Sequence, residues 1–291
     1  MNLASDETYD VVVAGGGPVG LSAAVALNLL GDAVAITGLS VESEPAALDP
    51  RTFALFRPAL RFLENLGVGP FPSDAAAPLE AIRLIDDTGR LMRAPDTLFE
   101  ARDLGLDAFG VNIPHTALVA ASTGRLMNIL PPGNLIPSPV ASLVLSPEAV
   151  QVHLESGRVL AARLLVAADG RQSVCRTLAR RPTRRWSYPQ SALVASIAHA
   201  RPHQNVSTEL HRPAGPLTTV PLPGQSSSIV WVERPNEAER LSRLDDGDFA
   251  RELHARLQGF LGRIEAVGPR RIFPLEGLVA EPAGEHRAAL V

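Results

Sequence analysis

The 291-residue chain contains no lysine; all 27 of its basic residues are arginine. Schiff-base chemistry and the phosphate-binding lysine of nucleotide triphosphatases are therefore excluded. There is one cysteine, Cys175, so neither an internal disulfide nor a cysteine-rich zinc site can form, which suggests a reducing compartment, the cytoplasm. No run of five like charges occurs, and a formal charge of −4 supplies no global field to gather nucleic acid or an anionic membrane. The opening residues MNLASDET carry two acids and no base, unlike the positive region of a secretory or transit peptide. A membrane helix needs about 20 apolar residues in unbroken helix, and the most apolar stretch, from Asp10 to Thr37, is interrupted by Gly15, Gly16, Gly17 and Pro18.

With 46% hydrophobic and 20% charged residues, the chain can build one large core or two smaller ones. The stretch DVVVAGGGPVGLSAAVALNLLGDAVAIT reads as a β-branched strand, a helix closed by Gly31 and a second apolar strand, hence β-α-β. Within it Gly15-x-Gly17-x-x-Gly20 has dinucleotide-fingerprint spacing. The first glycine permits a tight turn, the second lets a pyrophosphate approach the backbone, and the third lets helix and strand pack closely. Gly16, Pro18 and Val19 complete the loop and the helix start. An acidic residue about 20 positions on ordinarily binds the adenosine ribose. Here the second strand ends in Thr37, Asp32 precedes that strand, and Glu42 and Glu44 come late. The ribose is therefore held by a weaker hydroxyl bond or from elsewhere.

Further along, Phe53, Phe56, Leu60, Leu63 and Leu66 follow helical spacing up to Gly67. LEAIRLIDDTGRLMRAP reads as a hairpin turning at Asp86 to Gly89. A helix is expected from Pro114, then a meander of short strands from Val140 to Ala168, with GRVLAA and RLLVAADG as separate strands. Strand-rich sequence follows from Tyr188 to Glu233, and then two amphipathic helices. Pro202 argues against a helix that would bring His199 and His203 to one metal, so both are expected to be scattered surface histidines. Cys175 is expected to be a small buried hydrophobe. Trp186 and Trp231 are expected in the core rather than in a substrate cavity.

The segment AADGRQSVCR ends an apolar strand in Asp169-Gly170, with Ser173 three residues after the glycine and Arg176 three after that. Taken alone, Asp-Gly at a strand end is a turn. Together with the fingerprint and with DPRTFAL, which looks like an Asp-x-Arg segment, it resembles the class A FAD-dependent aromatic hydroxylases of the para-hydroxybenzoate hydroxylase fold. The resemblance is greatest to the ubiquinone-biosynthesis hydroxylases and runs from about Tyr9 to Val291. It implies an α/β fold: a Rossmann-like FAD-binding domain, βαβ with a β-meander, interrupted by a substrate domain of mixed β-sheet plus helices. The expected segments are 8–78, 104–185 and 271–291 for the FAD-binding domain, and 79–103 and 186–270 for the substrate domain.

The resemblance further implies an FAD-dependent monooxygenase that hydroxylates an aromatic ring, a prenylated phenol in ubiquinone biosynthesis, with NADH or NADPH and O2. Gly15, Gly17 and Gly20 would hold the ADP part of FAD, Arg51 would lie near flavin and pyrophosphate, and Asp169 with Gly170 would bind FAD. Arg176 would be either functional or structural, in the latter case pinning the Asp-Gly turn. No catalytic side chain and no metal ligand is assigned, because the cofactor carries the chemistry. Near Pro114 the family usually has Arg or Gln where this chain has His115 and Thr116, and neither is given a role. Peripheral contact with a membrane or with other quinone-biosynthesis enzymes fits such a substrate; nucleic acid does not. The family pattern continues beyond a strand like HRAALV into a further flavin-contacting motif, so a truncated, catalytically impaired member is the alternative expectation. An NAD-dependent dehydrogenase would share the fingerprint but leave the Asp-Gly motif unexplained.

Overall fold

A computed structural model describes residues 7–39 and 49–291; Glu42 and Glu44, the late candidates for the ribose contact, lie outside the described residues. The expected βαβ unit is β1 (Glu7–Ala14), α1 (Pro18–Leu29) and β2 (Val34–Thr37). Val11 and Val13 pack on one face of the sheet with Leu21 and Val25 of the helix, while Val12 and Ala14 enter a second cluster on the opposite face. A strand covered on both faces needs apolar side chains in both directions, which explains the unbroken DVVVA run. Gly17 is the N-cap of α1 and Pro18 opens its first turn, where a missing N–H costs nothing.

Next come β3 (Thr52–Phe56), α2 (Arg57–Asn65), β4 (Ala77–Leu79), β5 (Ala81–Asp86), β6 (Thr97–Glu100) and β7 (Gly110–Pro114). The helical spacing counted from Phe53 is corrected here. Phe53 and Phe56 belong to a strand, and Pro58 in the first turn marks where the helix begins. The hairpin of β5 and β6 does form, with Leu84 opposite Thr97, but its loop spans residues 87–96 rather than turning at Gly89. Then follow α3 (His115–Ile129), β8 (Leu135–Ile136), β9 (Val140–Leu145), β10 (Val150–Leu154) and β11 (Val159–Ala167). GRVLAA and RLLVAADG are one strand, since β11 runs unbroken beside β1.

The remaining elements are α4 (Val174–Leu178), β12 (Thr183–His199), β13 (Val206–His211), β14 (Leu217–Leu222), β15 (Ser226–Glu233), α5 (Pro235–Arg243), α6 (Asp246–Arg256), β16 (Ile264–Val267), β17 (Arg271–Ala280), β18 (Gly284–Glu285) and β19 (Ala288–Leu290). The first sheet has the order β18-β19-β11-β1-β2-β8, with β10 and β9 attached to β11. One edge of β11 takes β1; the other is shared by β10 at its start and β19 at its end. The second sheet runs β16-β12-β15-β14-β13-β5-β6, and β17 lies along β12. Residues 271–280, expected to return to the first unit, thus remain on the second sheet, and the chain rejoins the first at Gly284. A third sheet, β3-β7-β4, is tied to the second by Asn112, whose Nδ2 donates to the Pro221 carbonyl at 2.8 Å.

Helices α5 and α6 cover one face of the second sheet, where Trp231 meets Phe249 at 6.0 Å between ring centroids. Trp231 is the expected core residue, but Trp186 is not: it is 37% exposed, and its indole lies over Gly277, leaving no room there for a Cβ. His199 is buried rather than on the surface. Its Nδ1 meets the Arg201 carbonyl at 2.8 Å and its Nε2 meets Ser227 Oγ at 3.0 Å. Among the described residues no helix is long and apolar enough to cross a membrane.

Candidate dinucleotide cleft

The carboxyl ends of β1, β2 and β11 stop side by side, with Ala14 opposite both Thr37 and Ala167. Beyond these ends opens a cleft of about 530 Å³, lined by Gly15, Gly16, Gly17, Gly38, Arg51, His115, Pro139, Ala168, Asp169, Gly170, Gln172 and Val174. A crevice outside the carboxyl ends of parallel strands is where open α/β sheets take ligands.

The glycines around it serve different ends. Gly15 has φ +121°, and a Cβ there would overlap the Ala168 carbonyl. A Cβ on Gly20 would overlap the Gly15 carbonyl, and one on Gly16 would come within 2.8 Å of the Gly38 carbonyl. These three are glycine because the chain packs against itself. A Cβ on Gly17 meets nothing within 4 Å, so no contact inside the protein accounts for that glycine. The N-terminus of α1 has no side-chain cap and no acid in its first turn. Its free N–H groups and positive dipole end suit an anion. Val19, the second residue of α1, is half exposed, whereas Gly20 is buried.

On the β11 side, Asp169 Oδ2 accepts from the Cys175 N–H at 2.9 Å, and Oδ1 is buried without a hydrogen-bond partner. The rest of the Asp-Gly motif holds its own turn. Gly170 has φ +78°, Ser173 Oγ caps α4 by accepting from the Arg176 N–H at 2.9 Å, and Arg176 Nη2 donates to the Arg171 carbonyl at 3.0 Å. Ser173 and Arg176 are thus structural, and Asp169 alone keeps an acceptor free. Cys175 is buried, and burial with the neighbouring Asp169 carboxylate pushes its thiol pKa up, which keeps it unreactive.

Thr37 is part of the cleft lining, deeply buried, and its Oγ1 has no partner. A carboxylate at that position would be buried rather than presented to a ribose. Arg51 lines the cleft and forms a two-point pair with Asp49, Nε to Oδ1 at 2.9 Å and Nη2 to Oδ2 at 2.6 Å. The Arg51 hydrogen bonds are the main cause holding the Asp49 carboxyl below its ordinary range. His115 Nδ1 lies 3.1 Å from Asp49 Oδ2, though not aligned as a hydrogen bond. Burial foremost, and then the Arg51 charge, depress the imidazole pKa despite Asp49, so His115 is neutral near pH 7. Asp49 and Gln172 were not singled out in the sequence, and His115 was named there without a role. Asp49 stands two residues before Arg51 in DPRTFAL, His115 directly after Pro114, and Gln172 inside the Asp-Gly motif, so each had a local signal.

The cleft therefore joins Gly15, Gly16, Gly17, Thr37, Arg51, Asp169 and Gly170 in one place. An open glycine position, an uncapped helix and a free carboxylate oxygen fit the pyrophosphate and hydroxyl groups of a dinucleotide.

The whole arrangement is the fold of FAD-dependent monooxygenases. The p-nitrophenol 4-monooxygenase PnpA of Pseudomonas putida superposes with a TM-score of 0.73 over 98% of this chain and 72% of that one, at 19% identity. No family model matches the chain. Among curated proteins it is 32% identical over 289 residues to the ubiquinone hydroxylase UbiL of Rhodospirillum rubrum, covering 99% of this chain and 66% of that protein. It is 31% identical over 290 residues to a Synechocystis protein, slr1300, of which it covers 69%. The chain belongs to the ubiquinone hydroxylase family of FAD-dependent monooxygenases and spans about two thirds of the length of these relatives.

Proposed function

We propose that the protein binds FAD in the cleft at the ends of β1, β2 and β11 and hydroxylates an aromatic ring, that of a prenylated phenol in ubiquinone synthesis, with NADH or NADPH and O2. The observation that carries this reading is Gly17, whose side-chain direction is open while those of Gly15, Gly16 and Gly20 are closed by the protein itself. Gly17 and the first turn of α1 would receive the pyrophosphate. Asp169 Oδ1 would accept from a hydroxyl or N–H of the bound group, and Arg51 would supply positive charge shared with Asp49. His115, neutral, would offer a hydrogen bond without adding charge.

When bound, FAD supplies the redox chemistry: it takes a hydride from the reduced nicotinamide and allows one atom of O2 to enter the ring while the other leaves as water. The protein's own work is to hold the dinucleotide and to exclude water. The first sheet with its helices would form the FAD-binding unit, segments 8–78, 104–185 and the chain end, and the second sheet the substrate unit. A prenyl tail would bring the protein to a membrane surface or to other enzymes of the same synthesis.

Titrating the protein with FAD, then following NADH and NADPH oxidation with and without a prenylated phenol, tests the reading. Product gaining one oxygen atom from O2 is the expected result. Nicotinamide turnover with no flavin bound would favour a dehydrogenase instead.

A further inference from the structure

The loop between β5 and β6 is closed at its base by one carboxylate. Asp86 Oδ1 accepts from the Thr88 N–H at 3.0 Å and from the Thr88 hydroxyl at 2.6 Å, and Oδ2 accepts from the Ala94 N–H at 2.9 Å. These bonds draw residues 88 and 94 together and push Gly89 to Arg93 out as a compact tip. The same bonds hold the Asp86 carboxyl down to about 2, so the clamp is charged across the physiological range.

At the tip stand Leu91 and Met92, with relative exposures of 103% and 88%. Arg90 and Arg93 flank them, both exposed. Adjacent apolar side chains held almost wholly in water at the tip of a built loop are candidates for an interaction site. Beyond the loop, β6 is the edge strand of the second sheet, and its Leu98 and Phe99 are about half exposed. With Phe56 and Leu104 they line an apolar cleft of about 480 Å³.

We propose that loop 87–96 docks the protein on an anionic lipid surface, with Leu91 and Met92 entering the interfacial layer and Arg90 and Arg93 meeting lipid phosphates. A convex tip of two side chains buries far less than the roughly 800 Å² per partner of a stable protein interface. A bilayer interface accepts single apolar side chains without matching their shape, and nearby arginines add attraction to anionic headgroups. Because the whole chain carries −4 and Asp87 and Asp96 at the base of the loop balance Arg90 and Arg93, the attraction is confined to the tip and screened by salt. The proposal gives a place to the peripheral membrane contact put forward above, and so rests on that part of the reading. Its readout is independent of flavin and turnover.

The test is co-sedimentation of the full chain with vesicles of phosphatidylcholine alone and of phosphatidylcholine with about a third phosphatidylglycerol. The expected result is binding to the anionic vesicles that falls at least tenfold in Leu91→Asp/Met92→Asp and in Arg90→Glu/Arg93→Glu. Asp86→Ala, which opens the clamp, should give an intermediate loss. Circular dichroism should be unchanged in the two tip variants, because all four of their residues are exposed. No binding of the unaltered protein to anionic vesicles overturns the proposal, as does equal binding by the tip variants. Self-association in solution that disappears in Leu91→Asp/Met92→Asp, without vesicle binding, would assign the tip to a second copy of the chain and overturn it as well.

Discussion

The carboxyl ends of the first sheet and the middle of the second treat buried polar groups in opposite ways. Around the cleft, Asp169 Oδ1 and Thr37 Oγ1 have no partner, and the first turn of α1 has no cap. On the second sheet, Arg212 Nη2 donates to Glu233 Oε1 at 2.6 Å, Trp231 Nε1 donates to the same oxygen at 3.3 Å, and the Arg212 guanidinium lies 5.7 Å from the Trp231 ring. His199 likewise has both ring nitrogens engaged. Thr219 Oγ1, Ser228 Oγ and Arg212 Nη1 are unpartnered there too, but they stand on separate elements rather than around one cleft. A buried polar group without a partner costs free energy. Where such groups converge on one opening, a ligand is the economical explanation; where they are matched internally, their work is structural.

If that contrast is right, changes in the two regions separate stability from ligand binding. The largest effect is expected from Gly20→Val, a fingerprint residue outside the cleft lining that serves only packing. Its side chain would overlap the Gly15 carbonyl, and overpacking on the order of 3 kcal/mol should leave little folded protein, seen as loss of the thermal transition. Folding at unchanged melting temperature would show that α1 and the β1 turn are not in close contact at Gly20.

Next comes Glu233→Gln, in a pair whose side chains are 7% and 9% exposed. Removing the nearer partner of the buried arginine leaves it only Asp87, 4.0 Å away, a loss of about 3 kcal/mol. Chemical denaturation should report that loss, while the affinity of the folded protein for FAD stays as in the unaltered chain.

A smaller effect comes with pH. Burial is the main cause of the lowered His199 pKa, and the folded state prefers the neutral ring. The stability this contributes is present above the ordinary imidazole value of 6.5 and is lost as pH falls through the depressed folded value. Melting temperature should therefore drop between about pH 7.5 and about pH 5.5. His199→Gln should flatten part of that drop. His115, whose pKa is lowered too, contributes in the same direction.

The cleft side of the molecule was legible because backbone chemistry constrained it. A tight turn, a close helix and an approachable backbone each demand glycine at a set position, and Gly15, Gly17 and Gly20 stood out for that reason. Asp169-Gly170 was legible as a turn with a motif attached. What could not be read was which polar atoms remain free, since that depends on partners distant in sequence. Thr37 stood at the expected ribose position, but packing encloses it. The start of α2 was misplaced because Phe53 and Phe56 in a strand leading directly into a helix mimic helical spacing. On the second sheet only alternation and prolines were available, and these do not distinguish Trp186, lying exposed over Gly277, from Trp231 in the core.

The central claim is that Gly17 is glycine for a ligand and not for the fold, and titration of Gly17→Val with FAD beside the unaltered protein tests it most directly. Its backbone, φ −80° and ψ 171°, accepts a β-branched residue, and its Cβ direction is open. The melting temperature without FAD should stay within about 2 °C of the unaltered protein, while FAD affinity falls at least tenfold. Unchanged FAD affinity, or a fall in stability like that of Gly20→Val, would contradict the account.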